Sequence, residues 1–306
     1  MRAVVFAYHN VGCRCLSVLL AHGVKVALVV THDDDPGEAI WFDSVERLAL
    51  LHDLPVAKPA DPNAAQLVAR VRSAAPDFLF SFYYRQMLSA ALLEIPARGA
   101  LNMHGSLLPK YRGRVPVNWA VLHGERETGA TLHYMVDKPD AGDIVAQQAV
   151  PILPEDTAAE VFNKVTVAAE LALDRALPDL LNGCAPRMSQ DLSRGGYFGG
   201  RRREDGRIDW TQPAAAIHNL VRAVSPPYPG AFTQAAGRLV RFLGVLLQPG
   251  RRGRFGRPAL WCEAGRCYLE CADGAVLRVV RLEVDGTMLC DETFQRTENT
   301  PPVYLT

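Results

Sequence analysis

Over the first two hundred positions, short unbroken apolar runs alternate with stretches of helical spacing, and after that the runs become short and closely spaced. Residues 3–7 and 24–30 are apolar runs of strand length, and 13–21 between them reads as a helix stopped by His22 and Gly23. This is a βαβ unit. Helices are predicted over 44–51 and 63–74, the second with Asp61 or Asn63 near its cap, and a third buried strand over 78–82. Further strands are predicted at 100–104, 129–136 and 144–151, and a long amphipathic helix over 158–181 closes the domain. Strands alternating with helices specify an α/β fold with a Rossmann-like parallel sheet.

The pattern changes after a glycine- and arginine-rich loop at 195–206. Residues 208–210 read as a short strand and 213–223 as a helix, which the proline-rich turn 225–230 stops. Runs at 237–247, 258–262, 267–271 and 276–282, separated by Gly and Asp turns, predict a small antiparallel, OB-like β-barrel. The expected division is therefore a catalytic Rossmann-like domain at 1–200 and an OB-like domain at 201–306.

Composition narrows the class. The chain has 306 residues, 49% hydrophobic and 22% charged, which is globular and long enough for two domains. No run of eighteen apolar residues occurs, and Met1 leads straight into a strand-like segment rather than a leader, so a cytoplasmic protein with no membrane partner is expected. Seven cysteines without a framework read as reduced thiols. Cys262, Cys267, Cys271 and Cys290 have gaps of five, four and nineteen, which is not a zinc spacing, and His9, His32, His133 and His218 form no ligand pair, so no metal is expected and these histidines read as surface or packing residues. The first βα turn carries one glycine, Gly12, where a dinucleotide fingerprint needs three, which argues against NAD, and no phosphate-binding loop of the ATPase type occurs. Net charge is zero, with 18 Lys/Arg against 22 Asp/Glu in 1–200 and 15 against 11 in 201–306. The basic tracts 201–203 and 251–257 read as solvated loops rather than a nucleic-acid patch.

The chemistry concentrates in residues 102–119, NMHGSLLPKYRGRVPVNW. Strand alternation puts Asn102 and His104 on one face, two residues apart, just before the strand breaks at Gly105. Loops beyond the carboxyl ends of strands are where open α/β sheets bind ligands. An amide, an imidazole and guanidinium groups there, with Asp140 further on, suit an acyl-transfer site that moves a proton and stabilises an oxyanion.

Segment 102–119, together with 4–9, 80–85, 140–147 and 221–232, resembles the folate-dependent formyltransferase family, which carries Asn-x-His followed by Ser-Leu-Leu-Pro and an aromatic-Arg-Gly. The chain is most similar to the sugar-nucleotide branch, and in particular to the formyltransferase domain of the bifunctional polymyxin-resistance enzyme that acts on UDP-4-amino-4-deoxy-L-arabinose in lipid A modification. The resemblance implies 10-formyltetrahydrofolate as cosubstrate and a UDP-linked amino sugar as acceptor. It implies that Asn102 stabilises the oxyanion, that His104 relays the amine proton, and that Asp140 holds the imidazole and favours its protonated form. It also implies folate contacts from backbone polar groups at Gln86, Met87, Leu88, Val136, Asp137, Lys138 and Pro139, with Arg114 beside the folate and Lys110, Tyr111 and Arg112 toward the nucleotide or sugar.

Four alternatives stay open. Another UDP- or dTDP-linked 4-amino-deoxy-hexose is compatible with the same motifs, and so is a non-catalytic binder or a folate hydrolase on this scaffold. Formylation of methionyl-tRNA shares Asn102, His104 and Asp140, but the three consecutive aspartates Asp33, Asp34 and Asp35 stand where a tRNA enzyme carries a basic loop, and they repel phosphate. No nucleic-acid partner is therefore expected.

Overall fold

The computed structural model describes residues 1–290 and 301–306. In chain order its elements are β1 (Arg2–Ala7), α1 (His9–Ala21), β2 (Lys25–Val30), α2 (Val45–Leu51), β3 (Val56–Ala57), α3 (Ala65–Ser73), β4 (Phe78–Phe82), α4 (Ala90–Leu93) and β5 (Ala100–His104). There follow β6 (Arg112–Gly113), α5 (Pro116–Leu122), β7 (Glu127–Tyr134), β8 (Ile144–Pro151), α6 (Ala158–Asn182) and β9 (Tyr197–Phe198). The chain divides into two compact units, the first comprising Met1–Pro116, Glu127–Pro151 and Phe162–Gly199, the second Val117–Arg126, Ile152–Val161 and Gly200–Thr306.

The first unit is built on a seven-stranded sheet of order β3-β2-β1-β4-β5-β7-β8. β1 and β4 are buried almost throughout, which is why they read as near-continuous apolar runs, broken in β4 only by Ser81, rather than as alternating ones. The first five strands are parallel, whereas β7 runs antiparallel to β5 and β8 antiparallel to β7. For β8 the reversal follows from the connection: no helix separates it from β7, and parallel neighbours need a crossover. One face carries an apolar cluster of Val4, Phe6, Leu28, Leu79 and Ala100 beneath Leu67 and Val71 of α3 and Leu92 of α4. α1 starts at His9, four residues ahead of the predicted start, so the stretch expected to be a turn is already helical. α3 starts at Ala65 because Asp61 and Asn63 are committed elsewhere: Asp61 Oδ1 accepts from Asn63 N at 2.9 Å, and Asn63 Oδ1 accepts from Ser89 N at 2.7 Å.

The second unit contains α7 (Ala214–Ala223), β10 (Ala231–Ala235), β11 (Arg238–Arg252), β12 (Ala259–Glu263), β13 (Arg266–Glu270), β14 (Ala275–Val284), β15 (Thr287–Cys290) and β16 (Val303–Tyr304). Their order is β10-β11-β14-β13-β12-β16, with β15 on β14, and all pairings are antiparallel, giving the expected small barrel. Its core holds Trp210, Ile217, Val221, Phe242, Leu269 and Leu277. Segments 117–126 and 152–161 join this unit through polar ties: Asn118 Nδ2 donates to the Ala223 carbonyl at 2.8 Å, and the Arg222 guanidinium donates to the carbonyls of Val121 and Asp156, each at 3.2 Å.

Three expectations are corrected here. Residues 208–210 form no strand, and the bridge to Phe232 is made by the residue before them, Arg207. Cys262 and Cys267 face each other across the β12–β13 hairpin and form a disulfide, while Cys13, Cys15, Cys184 and Cys271 are free. The Cys290 side chain lies outside the described residues. The tract at 251–257 is not a free solvated loop: Arg251 and Arg254 both pair with Glu263, and Arg251 lies over the Tyr268 ring at 3.7 Å. Among the described residues no helix is long and apolar enough to cross a membrane.

Candidate active site

β5 continues the face that Ala100 shares with the apolar cluster, so Asn102 and His104 project on that side, while Leu101 and Met103 are buried on the other. The antiparallel partner β7 sets His133 opposite Asn102 and Thr131 opposite His104. Directly opposed residues share a face, which makes a two-by-two group of polar side chains out of two short strand segments.

The loop after β5 is fixed from below. Thr131 Oγ1 donates to the Ser106 carbonyl at 2.6 Å and accepts from Leu108 N at 3.1 Å, and Gln147 Nε2 of β8 donates to Thr131 Oγ1 and to the Leu108 carbonyl, both at 2.9 Å. Gly105 is required here, because a Cβ on it would occupy the position of the Tyr83 hydroxyl. The loop thereby brings the Tyr111 carbonyl to 2.8 Å from His104 Nε2. A carbonyl only accepts, so Nε2 carries the ring proton and Nδ1 is the bare nitrogen.

That bare Nδ1 faces Asp140 Oδ1 at 3.6 Å. Asp140 sits at φ 53°, a left-handed conformation, in the loop between β7 and β8. Gln190 Nε2 holds it there by donating to the carbonyls of Asp140 at 3.0 Å and Gly142 at 2.6 Å. The other carboxylate oxygen accepts from Gly113 N at 2.8 Å. Asn102 Nδ2 lies 3.1 Å from His133 Nε2 and 3.5 Å from Asp140 Oδ1.

The electrostatics divide these groups. Burial pushes the Asp140 carboxyl up, but attraction to the His104 and His133 rings in their protonated forms, together with the Gly113 N–H, outweighs it and holds the group well below the usual carboxylate range. For His104 burial is the largest influence and lowers its pKa, against the upward pull of Asp140 and of the Tyr111 carbonyl, with His133 adding to the lowering. Asp140 therefore acts on His104 in the expected sense, but the net direction is downward, so the ring is held neutral rather than protonated. The site combines a neutral base, an ionised carboxylate and an amide donor, the set an acyl transfer to an amine requires.

The other expected residues separate into two groups. Arg114 is exposed and follows Gly113 directly, and Val136, Asp137, Lys138 and Pro139 form the loop that arrives at Asp140, so these flank the site. Leu88 does not: its side chain is buried in the apolar cluster with Leu67 and Leu92, because the chain re-enters the core ahead of α4. Gln86 Nε2 donates to the Ala60 carbonyl at 3.1 Å, and Asn63 Nδ2 donates to the Met87 carbonyl at 3.0 Å, leaving the Met87 side chain 63% exposed. Tyr111 and Arg112 are buried, Tyr111 against Phe198 with ring centroids 5.1 Å apart and Arg112 toward the Leu192 and Gly195 carbonyls at 3.4 Å. They shape the loop instead of reaching outward.

Sequence reading missed His133, which is 1% exposed and inside the site. Its signal was positional: it lies two residues from Thr131 on the strand pairing with β5. His9 and His32, also read as packing residues, line an aromatic cluster beyond β1 and β2, where His9 stacks on Phe42 and His32 on Tyr84, each with centroids 4.0 Å apart. The acidic run is engaged there too: Asp33 pairs with Lys58 at 2.6 Å and Asp34 accepts from the Tyr8 hydroxyl at 2.8 Å. Among the described residues no group of three or more His, Cys, Asp or Glu is arranged to hold a metal ion.

A family model described as formyl transferase matches residues 9–177, and one described as the formyl transferase C-terminal domain matches 201–295. Among solved structures, the chain is similar to an N-formyltransferase from Helicobacter canadensis in complex with folinic acid and dTDP-3-aminofucose, at TM-score 0.69 and 19% identity over 91% of this chain and 98% of that one. It is similar to WlaRD, a sugar 3N-formyltransferase solved with dTDP and 5-N-formyl-THF, at TM-score 0.73 and 18% identity over 91% and 97%. HypX from Aquifex aeolicus in complex with tetrahydrofolic acid matches at TM-score 0.65 and 19% identity, over 98% of this chain and 49% of that chain.

Proposed function

Because the chain belongs to the formyl transferase family, we propose that it transfers the formyl group of 10-formyltetrahydrofolate to the amino group of a nucleotide-linked 4-amino sugar, with UDP-4-amino-4-deoxy-L-arabinose as acceptor and lipid A modification, hence polymyxin resistance, as its setting. The observation that carries the reading is the grouping of Asn102, His104 and Asp140 around one point. The folate supplies an electrophilic formyl carbon and a nitrogen leaving group. Neutral His104 accepts the proton of the attacking amine at Nδ1, and the imidazolium so formed faces the Asp140 carboxylate at 3.6 Å. Asn102 Nδ2 directs an N–H at the oxygen on which negative charge develops. His104 then returns its proton to the departing nitrogen, so that one C–N bond forms as the other breaks. Arg114 and the loop 136–139, exposed beside Asp140, would hold the folate together with the backbone at Gln86 and Met87, whereas Leu88 offers only its main chain.

A sugar acceptor is supported by two neighbours matched over more than nine-tenths of both chains, one described as a sugar 3N-formyltransferase and the other solved with dTDP-3-aminofucose. Those same neighbours favour a second reading, a dTDP-linked amino sugar, since dTDP or dTDP-3-aminofucose is what they were solved with. Methionyl-tRNA is disfavoured by the acidic run 33–35 beyond β2. The test is to incubate the protein with 10-formyltetrahydrofolate and, in parallel, UDP-4-amino-4-deoxy-L-arabinose, dTDP-3-aminofucose and methionyl-tRNA, and to follow product mass. Formylated UDP-sugar supports the proposal, formylated dTDP-sugar moves the acceptor, and formyl-methionyl-tRNA alone overturns it.

A further inference from the structure

His133 has no part in the proton transfer proposed above, yet it is the most deeply buried of the site's imidazoles and is held at both nitrogens. Its Nδ1 lies 2.9 Å from the Tyr134 carbonyl. Since that oxygen accepts only, Nδ1 carries the proton, and Nε2, which faces the donor nitrogen of an amide, presents a lone pair. The nearest group to Nε2 is Asn102 Nδ2 at 3.1 Å, inside hydrogen-bond range, whereas Asp140 Oδ1 stands off at 3.5 Å. The Asn102 amide therefore donates one N–H to His133.

The consequence lies in which end of the amide faces the reaction. An asparagine amide is nearly symmetric in shape, and a half-turn about its last bond exchanges a donor for an acceptor. An acceptor oxygen pointed at a developing oxyanion would repel it. We infer that His133 is a positioning residue for formyl transfer: through its Tyr134-fixed tautomer it holds the nitrogen end of Asn102 in the site, leaving the second N–H, 3.5 Å from Asp140 Oδ1, as the donor to the oxyanion. The inference rests on the proposed formyl transfer for its functional meaning and on β5–β7 register for its geometry.

The test is a double-mutant cycle on the full chain, with the acceptor that the wild type formylates. His133→Leu is expected to lower kcat by about 10- to 100-fold, a part of the hundredfold or more that loss of an oxyanion donor costs, with KM for the folate changed less than threefold. His133→Gln, whose side-chain amide can meet Asn102 where Nε2 does, is expected to recover most of the rate. Asn102→Ala with His133→Leu should be no slower than Asn102→Ala alone, because a residue acting through Asn102 has nothing left to act on. Additive losses, or a failure of His133→Gln to recover rate in a protein of unchanged melting temperature, would overturn the inference. Should the wild type formylate none of the acceptors, the functional reading fails separately, and the Asn102 side-chain amide resonances still decide the contact: they shift in His133→Leu if it is made and stay in place if it is not.

Discussion

Gly113 and Asp140 are joined by a 2.8 Å hydrogen bond from a backbone N–H to a carboxylate oxygen, and the glycine makes it from φ 100°. A side chain at Gly113 would run into the Phe198 carbonyl as well as strain the backbone. Gly113→Ala is expected to cost about 1–3 kcal/mol of stability and to lower kcat by releasing one oxygen of Asp140. Urea unfolding and steady-state kinetics on the same protein check both effects.

His104 acts as a base only when neutral, and burial lowers its pKa from the ordinary 6.5. The acid limb of kcat/KM that belongs to it therefore falls below that value, with activity lost as pH drops through the folded pKa. Asp140→Asn removes an upward pull on the ring, so this limb is expected to move to still lower pH, while kcat falls by about 10²–10⁴-fold. Protonation of the acceptor amine also produces an acid limb, but that one belongs to the substrate and stays put. A pH profile unchanged in position by Asp140→Asn would remove His104 as its source.

The aromatic cluster predicts a pH effect on stability. Burial, with a smaller contribution from Arg85, lowers His9 to about 3. A group whose folded pKa lies below its unfolded value of about 6.5 binds protons more readily in the unfolded chain, so stability is lost as pH falls between these two values. His9→Phe should flatten the fall in urea midpoint between pH 6.5 and 4. An equally steep fall in the variant would show that His9 does not contribute.

Leu88 and Met87 are adjacent in sequence and opposite in role. Leu88→Ala should cost about 2–5 kcal/mol, seen in the urea midpoint, because its side chain fills the cluster beneath α3 and α4. Met87→Ala, at an exposed side chain, should leave the midpoint within about 0.5 kcal/mol. A change in folate KM for Met87→Ala alone would place that side chain against the cosubstrate.

Gln190 carries its effect at a distance from the reacting atoms, by clamping the left-handed turn at Asp140. Gln190→Ala is expected to reduce kcat by about tenfold, since misplacement by an ångström can cost more than that, with melting temperature little changed. Retained kcat would mean the turn holds itself.

The parallel strands were legible because burial on both faces writes itself as an unbroken apolar run, as in 3–7, and Asn102 and His104 were legible because two-residue spacing on a strand is a statement about one face. His133 was not, since its place depends on the register of β7 against β5, a pairing between residues 31 apart that no local pattern encodes. The disulfide was missed for a similar reason: Cys262 and Cys267 meet only once a hairpin is closed at Ala264 and Gly265. The inward turn of the Leu88 side chain was not legible either, because a motif position says nothing about which side chains enter the core.

The ties of Arg222 to Val121 and Asp156 also set a timetable. During synthesis the segments 117–126 and 152–161 leave the ribosome well before the helix that receives them, 66 residues separating Asp156 from Arg222 and 101 separating Val121 from it. At about 5–20 residues per second, the carbonyl of Asp156 waits several seconds for its partner. A nascent chain stalled near residue 199 thus carries both segments without the partners they acquire later, and the second unit becomes complete only once the stretch from Gly200 to Thr306 has been made.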